Sequence, residues 1–405
     1  MKNYFALCLL YASALVAQNG DNSCCKPCCT PEPKKCINCE CYTPPFYTPN
    51  GCDIGLFATA DFLYWYARES HLNYAMKEIA LPIGSVPPSP GTALNIEDVK
   101  HLGTKWAPGF RVGLGYQTEC DGWDMYFNYT WYHNKRSDSV SVPSDFGLST
   151  QPFVALPGQE IVVNPWVNLN LPSGTLTTGI FSYMFNRIAA EWKFTLNDFV
   201  LELGRKSWLS RYFALRPYAA LRAAWVNRTF TINSFRNNTL VPGAMAHFQD
   251  RFTNHYWGVG MELGFQPEWY FTPQFALISN FDASLLWGKL KGKKKEDYVN
   301  EGILLPLDHH SLTKNNFSQM LPIFDLMLGF RWDETWACGR YRTALDLGWE
   351  QHVWMNFSNQ LLASGNAFIT SPFGDFTFET VPFTNIENQG NLTFGGLMAR
   401  FRFDF

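Results

Sequence analysis

The feature that most limits this chain is a two-residue rhythm of apolar side chains, repeated in segment after segment from Asp53 to the last residue. In Trp123–Tyr132 the odd positions are Trp123, Met125, Phe127, Tyr129 and Trp131. The even ones are Asp124, Tyr126, Asn128, Thr130 and Tyr132. His255, Trp257, Val259, Met261, Leu263 and Phe265 likewise alternate with Tyr256, Gly258, Gly260, Glu262 and Gly264. Phe213 to Trp225 and Tyr341 to Met355 follow the same rule, with arginines and acids in between. Successive side chains of a strand point to opposite faces, so this period makes half-buried β-strands. A soluble β-sandwich alternates too, with its apolar face inward. Two features favour a transmembrane barrel instead. Tyr212–Phe230 and Arg340–Phe357 read through with few breaks, ample for the roughly 9–11 residues of a tilted membrane strand. The connections also come in two kinds that take turns.

Short turns at Thr118–Gly122, Lys206–Arg211, Pro267–Pro273 and Asp333–Gly339 each follow a Leu-Gly strand end: Leu114-Gly115, Leu203-Gly204, Leu263-Gly264 and Leu328-Gly329. This is a faint hairpin repeat. Between the hairpins lie the polar stretches Glu69–Lys105, Lys135–Thr178, Asn233–Asp250, Lys291–Asn316 and Ser358–Gly390. Short turns at one end and long loops at the other are the layout of outer-membrane barrels, with the short turns periplasmic. The expected fold is all-β, a transmembrane antiparallel up-and-down barrel of at least ten strands. They are 53–68, 106–118, 122–134, 179–206, 211–231, 251–267, 273–290, 317–333, 338–357 and 391–405. An even count puts both termini on the periplasmic side. In the fourth strand the apolar phase switches between Trp192/Phe194/Leu196 and Phe199/Leu201/Leu203, which implies a bulge or turn near Asn197-Asp198. Glu160–Leu169 and Phe373–Phe383 are candidates for extra strands. Leu397, Ala399, Phe401, Phe403 and Phe405 alternate with Arg400, Arg402 and Asp404, so the last strand suits pairing with the first. Phe405 resembles the terminal signal read by bacterial barrel-assembly machinery, an expected partner.

Charged residues are 17% of the chain, below the roughly 25% of soluble domains, and 46% hydrophobic content excludes disorder. A net charge of −3 leaves no basic surplus for nucleic acid. Met1-Lys2-Asn3 followed by the apolar run Tyr4–Ala17 reads as a signal peptide, residues 1–17, too short to span a membrane. Residues 18–52 then form a cysteine- and proline-rich periplasmic segment and 53–405 the barrel. Ten cysteines survive cleavage: Cys24, Cys25, Cys28, Cys29, Cys36, Cys39, Cys41, Cys52, Cys120 and Cys338. Cys25-x-x-Cys28 and Cys36-x-x-Cys39 have zinc-site spacing, but an exported, oxidising setting favours disulfides over metal. No metal or cofactor is expected. Cys120 and Cys338 fall at short turns, so all ten cysteines share the periplasmic face. They are disulfide candidates, either within the chain or to cysteine-rich envelope proteins.

Several ordered blocks resemble the Legionella-type major outer membrane protein family of pore-forming barrels, which has members in chlamydia-related bacteria. They include Asp61-Phe-Leu-Tyr-Trp-Tyr-Ala67, Pro108-Gly-Phe-Arg-Val-Gly-Leu-Gly-Tyr116, Asp121-Gly-Trp-Asp-Met-Tyr-Phe-Asn-Tyr-Thr-Trp-Tyr-His133 and Leu201-Glu-Leu-Gly-Arg205. Leu215-Arg-Pro-Tyr218, Trp257-Gly-Val-Gly260, Leu326-Met-Leu-Gly-Phe-Arg-Trp332 and Leu347-Gly-Trp-Glu350 complete the set. The resemblance implies a pore-forming barrel of the bacterial outer membrane, surrounded by its lipid, and supplies no catalytic residues.

The strand phase turns Arg111, Arg216, Arg222, Arg228, Arg331, Arg340, Arg342, Arg400 and Arg402 inward, together with Asp124, Glu262, Asp282, Asp325, Asp346, Glu350 and Asp404. As pore-lining residues they would bias which solutes pass; alternatively they pair and fill a narrow barrel. Arg222 and Asp346 lie mid-strand. The run Lys291-Gly-Lys-Lys-Lys-Glu-Asp297 reads as a solvated loop tip, with a polyanion or lipopolysaccharide contact as the alternative. G-x-S-x-G, H-E-x-x-H and P-loop patterns are missing and the eight histidines are scattered, so no enzyme is expected. The expected function is a porin passing ions and small hydrophilic solutes, with a disulfide-linked structural role. The alternative is a non-conducting structural or adhesin barrel, and a homo-oligomer is open to either.

Overall fold

The computed structural model describes residues 55–82, 92–118, 123–142, 160–166, 184–237, 245–300, 309–336, 341–363 and 385–405. In chain order the strands are β1 (Gly55–Glu69), β2 (Asn73–Pro82), β3 (Thr92–His101), β4 (Trp106–Gln117) and β5 (Trp123–Ser141). Next come β6 (Glu160–Val163), β7 (Met184–Phe185), β8 (Arg187–Arg205), β9 (Ser207–Trp208) and β10 (Phe213–Asn237). The last are β11 (Met245–Tyr270), β12 (Phe275–Asn300), β13 (His309–Trp336), β14 (Tyr341–Ala363) and β15 (Asn385–Asp404). Ten of them, β1, β4, β5, β8 and β10 to β15, form a closed antiparallel barrel. The amphipathic last strand closes it: β15 lies on β1 in unbroken register from Phe57↔Asp404 to Glu69↔Leu392. Closure leaves no edge strand to be capped. All cysteines and Arg340 lie outside the described residues.

The outward face of the barrel carries the lipid belt. On β11, Val259, Met261, Leu263 and Phe265 point out and are exposed, Met261 to 73%. Exposed Trp257 and Trp269 bracket them. At about 3.3 Å per residue and a tilt near 40°, these tryptophans stand roughly 30 Å apart, a hydrocarbon layer plus its borders. Tyr64, Trp106 and Trp349 carry the outer girdle round the barrel, with ring centroids 5.4 Å (Tyr64–Trp106) and 5.8 Å (Trp106–Trp349) apart. A water-soluble fold would have hidden these rings. The short connections, Lys206–Tyr212 among them, and both ends of the sheet lie at the opposite, periplasmic rim, where the backbone N–H of Phe405 donates to Leu56 O.

Above the outer girdle the same strands continue with reversed polarity. On β11, Arg251, Thr253 and His255 face out, while Phe248, Phe252 and Tyr256 are buried inside. On β8 the inward positions run Ile188, Ala190, Trp192, Phe194 and Leu196, and then Asp198, Val200 and Glu202. The phase switch at Asn197-Asp198 is therefore no bulge: β8 keeps unbroken register with β5 and β10 through it. It marks the height at which the outer solvent changes from lipid to water, so the apolar side moves from the outer face to the inner one. For the same reason the described parts of three expected polar loops are strand. β10 and β11 reach Asn237 and Met245, β12 and β13 reach Asn300 and His309, and β14 and β15 reach Ala363 and Asn385. Lys291–Asp297 lies on β12 and is not a loop tip.

A second sheet of order β3-β2-β6-β7 belongs to this outer part. Within Glu160–Leu169 the strand is Glu160–Val163, and it joins this sheet without adding to the barrel. The residues after it drop into the mouth. Asn164 donates to Ser234 Oγ (3.1 Å) and Asp250 Oδ2 (3.0 Å), and Lys294 donates to the Trp166 carbonyl at 3.0 Å. The Trp166 ring stands edge-on to Phe252, centroids 5.4 Å apart.

Candidate functional site in the charged barrel interior

At membrane level the interior is a mesh of ion pairs around a cavity of about 100 Å³. Arg222 on β10 is its hub. It forks onto Asp198 through Nε (3.0 Å) and Nη2 (2.7 Å), and its Nη1 reaches Asp325 (2.6 Å), Ser284 (3.1 Å) and Glu262 (3.2 Å). Asp325 also takes His352 Nδ1 at 2.8 Å. Arg111 forks onto Glu350 at 2.9 and 3.0 Å and touches Asp61 at 3.1 Å, which Arg400 holds from the other side at 2.8 Å. Towards the periplasm, Arg216 joins Asp124 and Glu202 (2.7 Å to the latter), and Arg331 forks onto Asp346 at 2.7 and 2.8 Å while reaching Glu268 at 2.8 Å. Lys206 donates to Glu268 at 2.6 Å. Arg342 lies 2.8 Å from Asp333 and 3.5 Å from Asp404.

The Leu-Gly repeat acquires a purpose here. A Cβ on Gly204 would stand 2.6 Å from the Arg216 guanidinium, and one on Gly264 would stand 2.5 Å from the Tyr218 ring. These inward glycines leave the space in which the long side chains of a neighbouring strand lie.

Of the residues expected inside, Arg111, Asp124, Arg216, Arg222, Glu262, Asp282, Asp325, Arg331, Arg342, Asp346, Glu350 and Arg400 all point into this mesh, with Arg402 and Asp404 at its periplasmic edge. Opposite charges do not face each other across open water as separate rows; they are bonded. Arg228 points inward but belongs to the outer part, fully buried with Glu69 at 2.8 Å, and Trp192 Nε1 donates to that same carboxylate at 2.7 Å. Sequence reading missed Asp61, Asp198, Glu202, Glu268 and His352. The phase of Leu201 and Leu203 already turned Glu202 and Asp198 inward, but the supposed bulge hid it. Glu268 fell in a supposed turn. Asp61 shares its inward face with Leu63 and Trp65, so no polar stripe gave it away.

The cavity is richer in acid than in base. Asp198, Glu202, Glu262, Glu268, Asp282, Asp325 and Glu350 line it against Arg111, Arg222, Arg331, Arg400 and His352. Oxygens of Glu262, Asp282 and Asp325 lie within 4.8 Å of one another, the one such trio among the described residues with room for a cation. Arg222 serves two of them. Asp282 takes Asn280 Nδ2 (2.8 Å) and Tyr218 OH (3.3 Å) on its Oδ2 and stands beside the Asp325 carboxyl, with no Arg or Lys bonded to it. Over the cavity lies an aromatic layer centred on Phe394, with His352 at 4.8 Å, Trp65 at 5.6 Å, Phe194 at 5.9 Å and Trp354 at 6.0 Å between centroids.

Lipid-facing aromatics, an ionic interior and a closed ten-stranded sheet define an integral β-barrel of the bacterial outer membrane. The chain belongs to the family of the Legionella pneumophila major outer membrane protein precursor, whose model matches residues 53–405. Among curated proteins no relative matches. Among solved structures it is similar to the outer membrane protease OmpT of Escherichia coli, with 9% identity, TM-score 0.33, and 89% of this chain and 98% of that one covered. It is also similar to a deletion mutant of the monoaromatic hydrocarbon channel TodX (10%, 0.29, 86% and 90%) and to a FadL homologue of Pseudomonas aeruginosa (6%, 0.24, 87% and 90%). At such scores these likenesses bear on no function.

Proposed function

We propose that this chain is a narrow outer-membrane porin for small cations and small hydrophilic solutes, without enzymatic activity, held shut in this conformation by the aromatic layer. The observation that carries the reading is the excess of acid over base around the cavity, with no cation bonded to Asp282. Carboxylates inside a membrane are costly and mark ion paths by default, and seven around one cavity of about 100 Å³ against four arginines and His352 favour cations there. Planar-bilayer recording tests it. The expected result is infrequent, small, cation-selective steps. Asp282→Asn with Asp325→Asn should lower the selectivity and leave the step size within about twofold, and Phe394→Ala should make openings more frequent. A second reading, a closed structural barrel, is favoured by the same layer and by Trp166 in the mouth. Silence from folded wild type and folded Phe394→Ala alike would establish it and refute the porin. Cross-linking through the ten cysteines remains part of the proposal, and only monomer on a non-reducing gel would remove it.

A further inference from the structure

The basic run of β12 faces outward at a defined height. Lys289, Lys291, Lys293 and Lys295 all point out and are exposed, whereas Lys294 points in to Asp250 and Glu296. Register puts Lys289 opposite Trp257 of the outer girdle, directly above exposed Trp287. With outward residues about 6.6 Å apart along a tilted strand, the four lysines climb from the girdle to roughly 15 Å above it. That is the zone of lipid headgroups. Neighbouring strands add exposed Arg251 and Lys314.

Charges here are arranged against the rules of a stable sheet. Lys293 lies directly opposite Lys314, and Lys295 directly opposite Arg251. Like charges so placed repel and destabilise the pairing. Among the described residues only Lys295 has an acid on it, Asp297 at 2.7 Å. On β5 and β8, by contrast, the outward Lys135 and Lys193 share Glu191 at 2.7 and 2.6 Å. A one-sided stripe of six cations, five of them with no acid on them among the described residues, suits an external polyanion.

We propose that this stripe binds the phosphorylated saccharide headgroup of an outer-leaflet glycolipid, with acyl chains on the Trp257/Trp287 wall and phosphates between Lys289, Lys291, Lys293 and Lys314. Height selects the lipid over a soluble polyanion, because the stripe starts at the girdle and not at the loop tips. Lysines at a membrane surface each contribute a several-fold gain in affinity for anionic lipid, reduced by salt screening.

The test uses the purified full chain in bicelles, titrated with bis-phosphorylated lipid A and with its dephosphorylated form. The phosphorylated lipid should bind at least tenfold tighter, with a Kd that weakens steeply as salt rises. The quadruple variant K289Q/K291Q/K293Q/K314Q should lose that preference, and K135Q/K193Q should keep it. None of these side chains is buried in the protein, and the wild-type salt dependence stands as evidence without any variant. Equal binding of the two lipids, an unaffected quadruple variant, or tighter binding of soluble heparin than of lipid A would each overturn the proposal.

Discussion

The membrane-level barrel and its outer continuation share strands, register and two-residue alternation, yet they are built inside out relative to each other. Between Trp257 and Trp269 the outer face is apolar and the inside ionic; beyond Trp257 the outer face is ionic and the inside is mainly aromatic and aliphatic, with a few buried pairs such as Arg228–Glu69 and Lys294–Asp250. Backbone geometry does not cause the difference, since β8 and β11 run through the boundary without a break in register. The surrounding solvent does. Lipid offers no hydrogen bonds, so polar side chains at that height must turn inward and find one another. Water rewards the opposite arrangement by the ordinary hydrophobic effect. Each half therefore has its own source of stability: salt bridges excluded from lipid below, packed aromatic rings above.

Deleting a hub of each half should expose that division most strongly. Arg222→Ala leaves Asp198, Glu262 and Asp325 buried without their common cation. The expected cost is about 3–5 kcal/mol, read from urea unfolding in lipid vesicles, and restoring a cation with Arg222→Lys should return only part of it because the fork onto Asp198 is lost. Should Arg222→Ala unfold like wild type, the mesh is not what holds the lower half.

A smaller effect distinguishes the two solvents on one face of one strand. Met261 and Thr253 both point outward on β11, eight residues apart, one in the lipid belt and one above the girdle. Met261→Arg should cost about 2–4 kcal/mol, whereas Thr253→Arg should stay within about 0.5 kcal/mol of wild type. Equal costs at the two positions would mean that the girdle is not the membrane border.

This boundary also explains how far the sequence could be read. Ten strands, their hairpin ends and the inward phase of Arg111, Arg222 and Asp346 follow from alternation alone, because at membrane height each face keeps one polarity. Alternation persists above the girdle, but Lys289, Lys291, Lys293 and Lys295 then stand where leucines stood, and dense charge imitates a loop. Trp192, Phe194 and Leu196 turn inward for the same reason, and without the height of the membrane their phase looked like a bulge. Pairing between non-adjacent strands was out of reach altogether. Arg111 on β4 and Glu350 on β14 are 239 residues apart, and only the closed barrel, with β1 and β15 between them, brings them together.

The weakest but cleanest contrast concerns carboxylates in the two halves. At membrane level Asp61, Asp198, Asp346 and Glu350 each sit on arginine. Glu78, on β2 of the outer sheet, is buried with no cation or donor on it among the described residues, and burial raises its pKa above the ordinary glutamate value. A raised acid is more readily deprotonated in the unfolded chain, so its contribution is fully present below the ordinary value and is lost as pH rises through the folded one. Hydrogen exchange of β2 and β3 should therefore quicken as pH is raised from about 4 through neutrality, after correction for intrinsic rates, while exchange in β10 at Arg222 stays level. Glu78→Gln should flatten the β2 response. If β2 and β10 loosen in parallel, the outer sheet does not open separately from the barrel, and the two halves unfold as one.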